Sequence, residues 1–112
     1  MDKNFKAIEK MLFHIRRLER AFDGKSYEDL LENELLQDSA VTNISQIGES
    51  VVLLDEEFRE KYSEIQWKKL KVTRNMYIHN YDGINYRLMW QVLNKDLPKL
   101  KQQLEELHDI LR

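Results

Sequence analysis

Apolar side chains recur along this chain at alternating steps of three and four. Phe5, Ile8, Leu12, Ile15, Leu18 and Phe22 form the first such series, which predicts one buried face of a helix. Asp23-Gly24-Lys25 closes it, because Gly24 suits the left-handed backbone that ends helices. Ser26 is placed to cap the next helix, with Asp29 three residues on as the other half of a capping box. A longer series, Leu31, Leu35, Val41, Ile44, Ile47, Val51, Leu54 and Phe58, keeps helical spacing to near Tyr62. Gly48 lies inside it at a cost of about 1 kcal/mol against alanine, so a closely approaching neighbour helix is the expected reason. Ser63-Glu64-Ile65-Gln66 reads as a short connection. Trp67, Leu70, Val72 and Met76 then carry a third long helix through the Tyr77–Tyr81 region, and Asp82-Gly83 is a turn. Trp90, Leu93, Leu97, Leu100, Leu104, Leu107 and Leu111 mark the last helix. Pro98 within it predicts a kink or a restart, with Asp96 as candidate cap.

No strand-like alternation, repeat or low-complexity tract interrupts this pattern. The expected fold is all-α: an up-and-down helical bundle of four main helices plus a short one, as a single domain over residues 1–112. Composition agrees, since 3 Gly and 1 Pro in 112 residues leave few points where regular structure must break. Without cysteine there are no disulfides and no thiolate metal sites. Neither a signal core nor an apolar run of membrane-spanning length is evident, so the expectation is a cytoplasmic protein with no membrane contact. A formal net charge of -2 argues against a protein that coats nucleic acid indiscriminately. It leaves room for a local basic site.

Such a site is suggested by one stretch. From Gln66 to Asn80 the chain has four basic side chains, Lys68, Lys69, Lys71 and Arg74, and no acidic one. Arg74, Asn75, His79 and two tyrosines, Tyr77 and Tyr81, fall within eight residues. On a helix, Arg74 and His79 diverge by about 140° around the axis and about 7.5 Å along it. They do not stack on each other, but both reach a groove along the helix near its end. Histidine exchanges protons near pH 7, and a guanidinium matches phosphate oxygens and offsets charge that builds on them. That pairing is apt for metal-free RNA cleavage, with Asn75 orienting the phosphate or the imidazole. One such histidine per chain is a difficulty, because the reaction asks for a base and an acid; dimerisation across this helix would supply two of each residue in one cleft. The three lysines would steer the RNA backbone. On residue types alone, a chance spacing with a His that merely lies at the surface or in the core remains the commoner meaning. His14 and His108 are expected to be solvated, and no spacing supports a metal site built from His14, His79 and scattered acids.

Arg74-Asn75-Met76-Tyr77-Ile78-His79-Asn80-Tyr81 also fits Arg-x4-His-x-Tyr and so resembles the HepT-like toxin group of the HEPN ribonucleases. The resemblance runs through Ile47-Gly48-Glu49 and Glu64-Ile65-Gln66-Trp67, where Gln66 replaces the usual proline. It continues through Asn85–Trp90 to Asp96-Leu97-Pro98. It implies a homodimer whose ribonuclease site forms where two motif helices meet, with Arg74 and His79 catalytic and Asn75 assisting. No cofactor is implied. It further implies an antitoxin partner of the MntA type, a minimal nucleotidyltransferase that adds AMP to Tyr81, with Tyr77 and Tyr86 as weaker acceptors. The RNA substrate would be a transfer or messenger RNA. Two other readings stand beside this one: a non-catalytic helical module that binds a nucleotidyltransferase, and a purely structural dimerising bundle.

Overall fold

The computed structural model describes residues 2–71 and 83–112, and every described element is helical. In chain order these are α1 (Lys3–Phe22), α2 (Tyr27–Glu32), α3 (Glu34–Val52), α4 (Glu56–Lys61), the helical residues 67–71 (α5), α6 (Tyr86–Gln91), a π-helical turn (Val92–Asp96) and α7 (Leu97–Leu111). No strand occurs among the described residues, as the periodicity predicts.

The core is made by the stripes that the spacing marks. Ile8, Leu12, Ile15 and Leu18 of α1 are buried against Ile44, Ile47 and Val51 of α3 and Leu100, Leu104 and Leu107 of α7. Met11 and Met89 are fully buried in the same core. Gly24 closes α1 with φ +71, and Ser26 with Asp29 forms the predicted capping box at α2. Donation from the Ser26 backbone N–H, then from its hydroxyl, holds the Asp29 carboxyl below the usual carboxylate range.

Two expectations need correction. The long second series is not one helix but three. Asn33 adopts an extended backbone and its side chain accepts from the N–H groups of Leu35 and Leu36, ending α2 and starting α3. Asp55, also extended, separates α3 from α4. Leu31 and Leu35, which continue the apolar spacing, are 45% and 79% exposed. The break at Asn33 turns them off the core face. The second concerns Asp96, which makes no side-chain cap. The restart expected at Pro98 is present: a π-helical turn at Val92–Asp96 separates α6 from α7, which begins at Leu97 with Pro98 in its first turn. Proline offers no N–H to the preceding turn, and the π-helical turn before it, in which the Leu97 N–H donates to the Val92 carbonyl, absorbs that gap.

Asn4 ties the start of α1 to the α3–α4 turn. It is buried, its Nδ2 donates to Asp55 Oδ2 at 3.2 Å, and its Oδ1 accepts from the Asp55 N–H at 2.9 Å. Lys3 pairs with the same carboxylate at 2.8 Å. The Lys3 hydrogen bond, then that of Asn4, holds the Asp55 carboxyl below its ordinary value. A depressed folded-state pKa contributes stability above about pH 4, lost as pH falls through the folded value. Asn4→Ala is expected to cost about 1–3 kcal/mol in urea unfolding at neutral pH. Asp55→Asn should narrow the stability difference between neutral and acid pH, and an unchanged difference would show that the pair carries no linkage.

Candidate functional site

Arg74, Asn75, His79 and Tyr81 lie outside the described residues, as does Tyr77. The structure does show how the chain approaches and leaves them. Phe58 of α4 and Ile65 are buried, and Trp67 sits against them as the first residue of α5. The Phe58 ring lies 4.9 Å from Tyr62 and 6.5 Å from Trp67 between centroids. Trp67 Nε1 donates to the Tyr62 carbonyl at 3.1 Å, and the Trp67 backbone N–H donates to Ile65 at 2.9 Å. Residues 62–67 therefore form a packed corner that sets the start of α5, although Gln66 takes the place where proline would stiffen it.

Lys68, Lys69 and Lys71 project beyond that corner, all exposed. They border a broad groove of about 1380 Å³ between α4, α5 and the α6–π rod. Its apolar wall includes Ile65, Trp67, Leu88 and Val92. Its described lining carries five cations, Arg59, Lys68, Lys69, Lys71 and Lys95, against three acids, Glu56, Glu60 and Asp96. The groove is thus net basic in a chain that is net acidic. Lys69 bridges to Asp96 at 3.4 Å, which ties α5 to the π-helical turn. Lys68 and Lys71 are the more available to a ligand.

Arg59 and Lys95 belong to this groove and were not singled out by sequence reasoning. Nothing in Glu56–Lys61 marks Arg59 apart from other helix-end cations. Only packing reveals that its Nε is buried without a hydrogen-bond partner.

The two other histidines are not simply solvated, which corrects the expectation for them. His14 is half-buried, with Nδ1 2.8 Å from Asn43 Oδ1. Asn43 Nδ2 donates to the Ser39 carbonyl at 2.8 Å, so Asn43 presents its oxygen to the ring and the proton sits on Nδ1. His108 stacks on Phe5 at 4.7 Å and faces Glu9 at 3.4 Å. Both are fastened to neighbouring helices and away from the groove lining. Tyr86 is likewise engaged, its hydroxyl donating to Gln37 Oε1 at 3.2 Å. No group of three or more His, Asp or Glu residues converges on a metal position among the described residues. No described helix is long and apolar enough to cross a membrane.

A family model described as "Ribonuclease HepT-like" matches residues 11–107, which include the whole Arg74–Tyr81 segment. The chain is 36% identical over 100 residues to "Putative RNase TTE0752" of Caldanaerobacter subterraneus, covering 89% of each protein. It is 35% identical over 104 residues to "Gamma-glutamylcyclotransferase and putative RNase MJ0434" of Methanocaldococcus jannaschii, covering 93% of this chain and 47% of that one. With "Probable ribonuclease HepT" of Thermococcus cleftensis it shares 30% identity over 81 residues, 72% of this chain and 74% of the other. No solved structure gives a significant match.

Proposed function

This chain belongs to the HepT-like ribonuclease family, and on that ground we propose that it is a toxin that cleaves RNA without a metal ion, at a site composed by Arg74 and His79 of both subunits of a homodimer. One observation carries this reading: the Arg-x4-His-x-Tyr spacing falls inside the matched residues. The net-basic groove beside Lys68 and Lys71 supports it, because a polyanion is drawn to such a surface.

The chemistry follows from two imidazoles in one cleft. A neutral His79 takes the proton of the ribose 2′-hydroxyl, and the freed oxygen attacks the adjacent phosphorus. The bond from phosphorus to the 5′-oxygen breaks, and the protonated His79 of the other subunit gives that oxygen a proton. Arg74 stabilises the charge spread over the phosphorane oxygens, and Asn75 orients the phosphate. The products carry a 2′,3′-cyclic phosphate and a 5′-hydroxyl.

Regulation acts at Tyr81. Its hydroxyl attacks the α-phosphate of ATP on a nucleotidyltransferase partner, and pyrophosphate leaves. The attached nucleotide adds bulk and negative charge where the RNA phosphate must sit. Both partners act in the cytoplasm. The test is one experiment. Purified dimer should cleave RNA in excess chelator to cyclic-phosphate ends, and prior incubation with the partner and ATP should stop cleavage as AMP-sized mass steps appear on Tyr81. Cleavage that needs added metal would overturn the mechanism. Absence of cleavage with retained partner binding would return the protein to a non-catalytic interaction module.

A further inference from the structure

α1 turns a cationic face away from the core. Lys6, Lys10, Phe13, Arg17 and Arg20 recur at steps of four, three, four and three, and all are exposed. They form one stripe about 21 Å long, on the side opposite the Ile8, Leu12, Ile15 and Leu18 seam. The two acids within α1 do not share that face. Glu9 lies against His108 at 3.4 Å and Glu19 accepts from Lys101 at 3.0 Å, both toward α7. Lys3 extends the stripe but is held by Asp55. Lys6, Lys10 and Arg20 take part in none of the ion pairs among the described residues.

Two further features lie on the same face. Phe13 is 51% exposed, an unusual place for so large an apolar ring, and the Arg17 guanidinium sits over it at 5.6 Å from the centroid. Lys3, Lys6 and Lys10 also rim a cleft of about 380 Å³ whose apolar side is Val52 and Leu53. Those two are 48% and 50% exposed. Cations at regular spacing, a half-exposed aromatic ring and an apolar seat between cations are the features by which proteins hold unpaired bases along a charged backbone.

We propose that the outer face of α1, with the Val52–Leu53 cleft, is a docking track for single-stranded RNA, separate from the groove beside α5. It rests on the ribonuclease reading for the identity of the polyanion. Lys6, Lys10 and Arg20 contact phosphates, a base stacks on Phe13 in the place that Arg17 now occupies, and another base enters the cleft. A second copy of the chain fits this face poorly, because a two-fold interface sets the same patch against itself and would oppose lysine to lysine. An acidic protein would satisfy the charges but leaves the flat exposed ring and the apolar cleft unexplained.

Binding is measured on the full-length dimer with a fluorescein-labelled single-stranded RNA 12-mer, 2′-O-methylated throughout so that it cannot be cleaved. Lys6→Glu with Lys10→Glu is expected to weaken binding about ten-fold or more and to reduce the slope of log K against log salt by about 1.4, at roughly 0.7 per phosphate contact. Phe13→Ala is expected to weaken it about five-fold or more, through lost stacking. Lys25→Glu with Lys99→Glu makes the same change in net charge elsewhere and should shift binding by less than about two-fold. On cleavable RNA the α1 variants should raise KM and leave kcat unchanged.

An α1 double variant no weaker than the Lys25 and Lys99 control overturns the track, as does full binding by Phe13→Ala. Loss of the dimer on size exclusion would make the face a subunit interface. Lost binding to the nucleotidyltransferase with intact RNA binding would make it a protein-docking face. If wild-type protein binds the methylated RNA through α1 yet cleaves no RNA, the track stands and the ribonuclease reading fails.

Discussion

Alanine at His79 is expected to lower the rate of RNA cleavage by about two to four orders of magnitude, and alanine at Arg74 by about two to three. In the proposed mechanism the loss at His79 removes both proton-transfer groups at once, since each subunit would contribute the same side chain to the shared cleft. In the same proposal Arg74 would hold charge that exists only in the transition state, so its loss should fall on kcat more than on KM. Both variants should stay folded and dimeric by circular dichroism and size exclusion. A site composed by two subunits, as proposed, has its own signature. Wild-type protein mixed with excess His79→Ala should lose activity as subunits exchange, because each mixed dimer lacks either base or acid. Undiminished cleavage by both single variants would remove the basis for the catalytic assignment.

Trp67→Ala is expected to destabilise the fold by about 3–5 kcal/mol, the range for deleting a buried large aromatic. The ring is only 6% exposed, it packs with Phe58, and its Nε1 bond to the Tyr62 carbonyl would be lost as well. Domains of this size have about 5–15 kcal/mol in total, so the variant would lose a large fraction of its stability and roughly 10–20 °C in Tm. Trp67→Phe keeps most of the packing but not the donor, and should cost about 1–2 kcal/mol. Calorimetry separates the two. A Tm for Trp67→Ala within a few degrees of wild type would mean that the corner at residues 62–67 does not hold the start of α5 as described. Because α5 leads directly to Arg74, loss of activity in this variant must be read at a temperature where it remains folded.

Features set by neighbours within a turn are for the most part legible in the sequence, and features set by distant segments are not. The α1 and α7 seams follow from spacing because a helix repeats every 3.6 residues whatever surrounds it. The Ser26–Asp29 box and Gly24 follow from local hydrogen bonding and backbone freedom. Asn33 shows the limit. It stands in a series whose apolar spacing continues unbroken through Leu31 and Leu35, yet its own side chain competes for the backbone and splits the helix there. Of the candidate site residues, Lys68, Lys69 and Lys71 are in the described groove, and Lys69 proves to be tied to Asp96. Arg59 and Lys95 escaped notice because cations are common on helix surfaces and periodicity says nothing about which ones share a concavity. His14 and His108 were misjudged for the same reason: Asn43 and Phe5 reach them from helices distant in sequence.

Short-range rules were therefore enough to establish an all-helical chain, its principal buried stripes, its lack of cysteine chemistry and the Arg74–His79–Tyr81 spacing. Each depends on neighbours within a turn or two. The assembly of Arg59, Lys68, Lys71 and Lys95 around one groove, the acid-free outer face of α1 and the π-helical turn before Pro98 depended on packing. They arise where α1, α3, α4, α5 and the α6–α7 segment exclude water together, and which polar groups end up paired, buried or exposed is decided by that contact among distant segments.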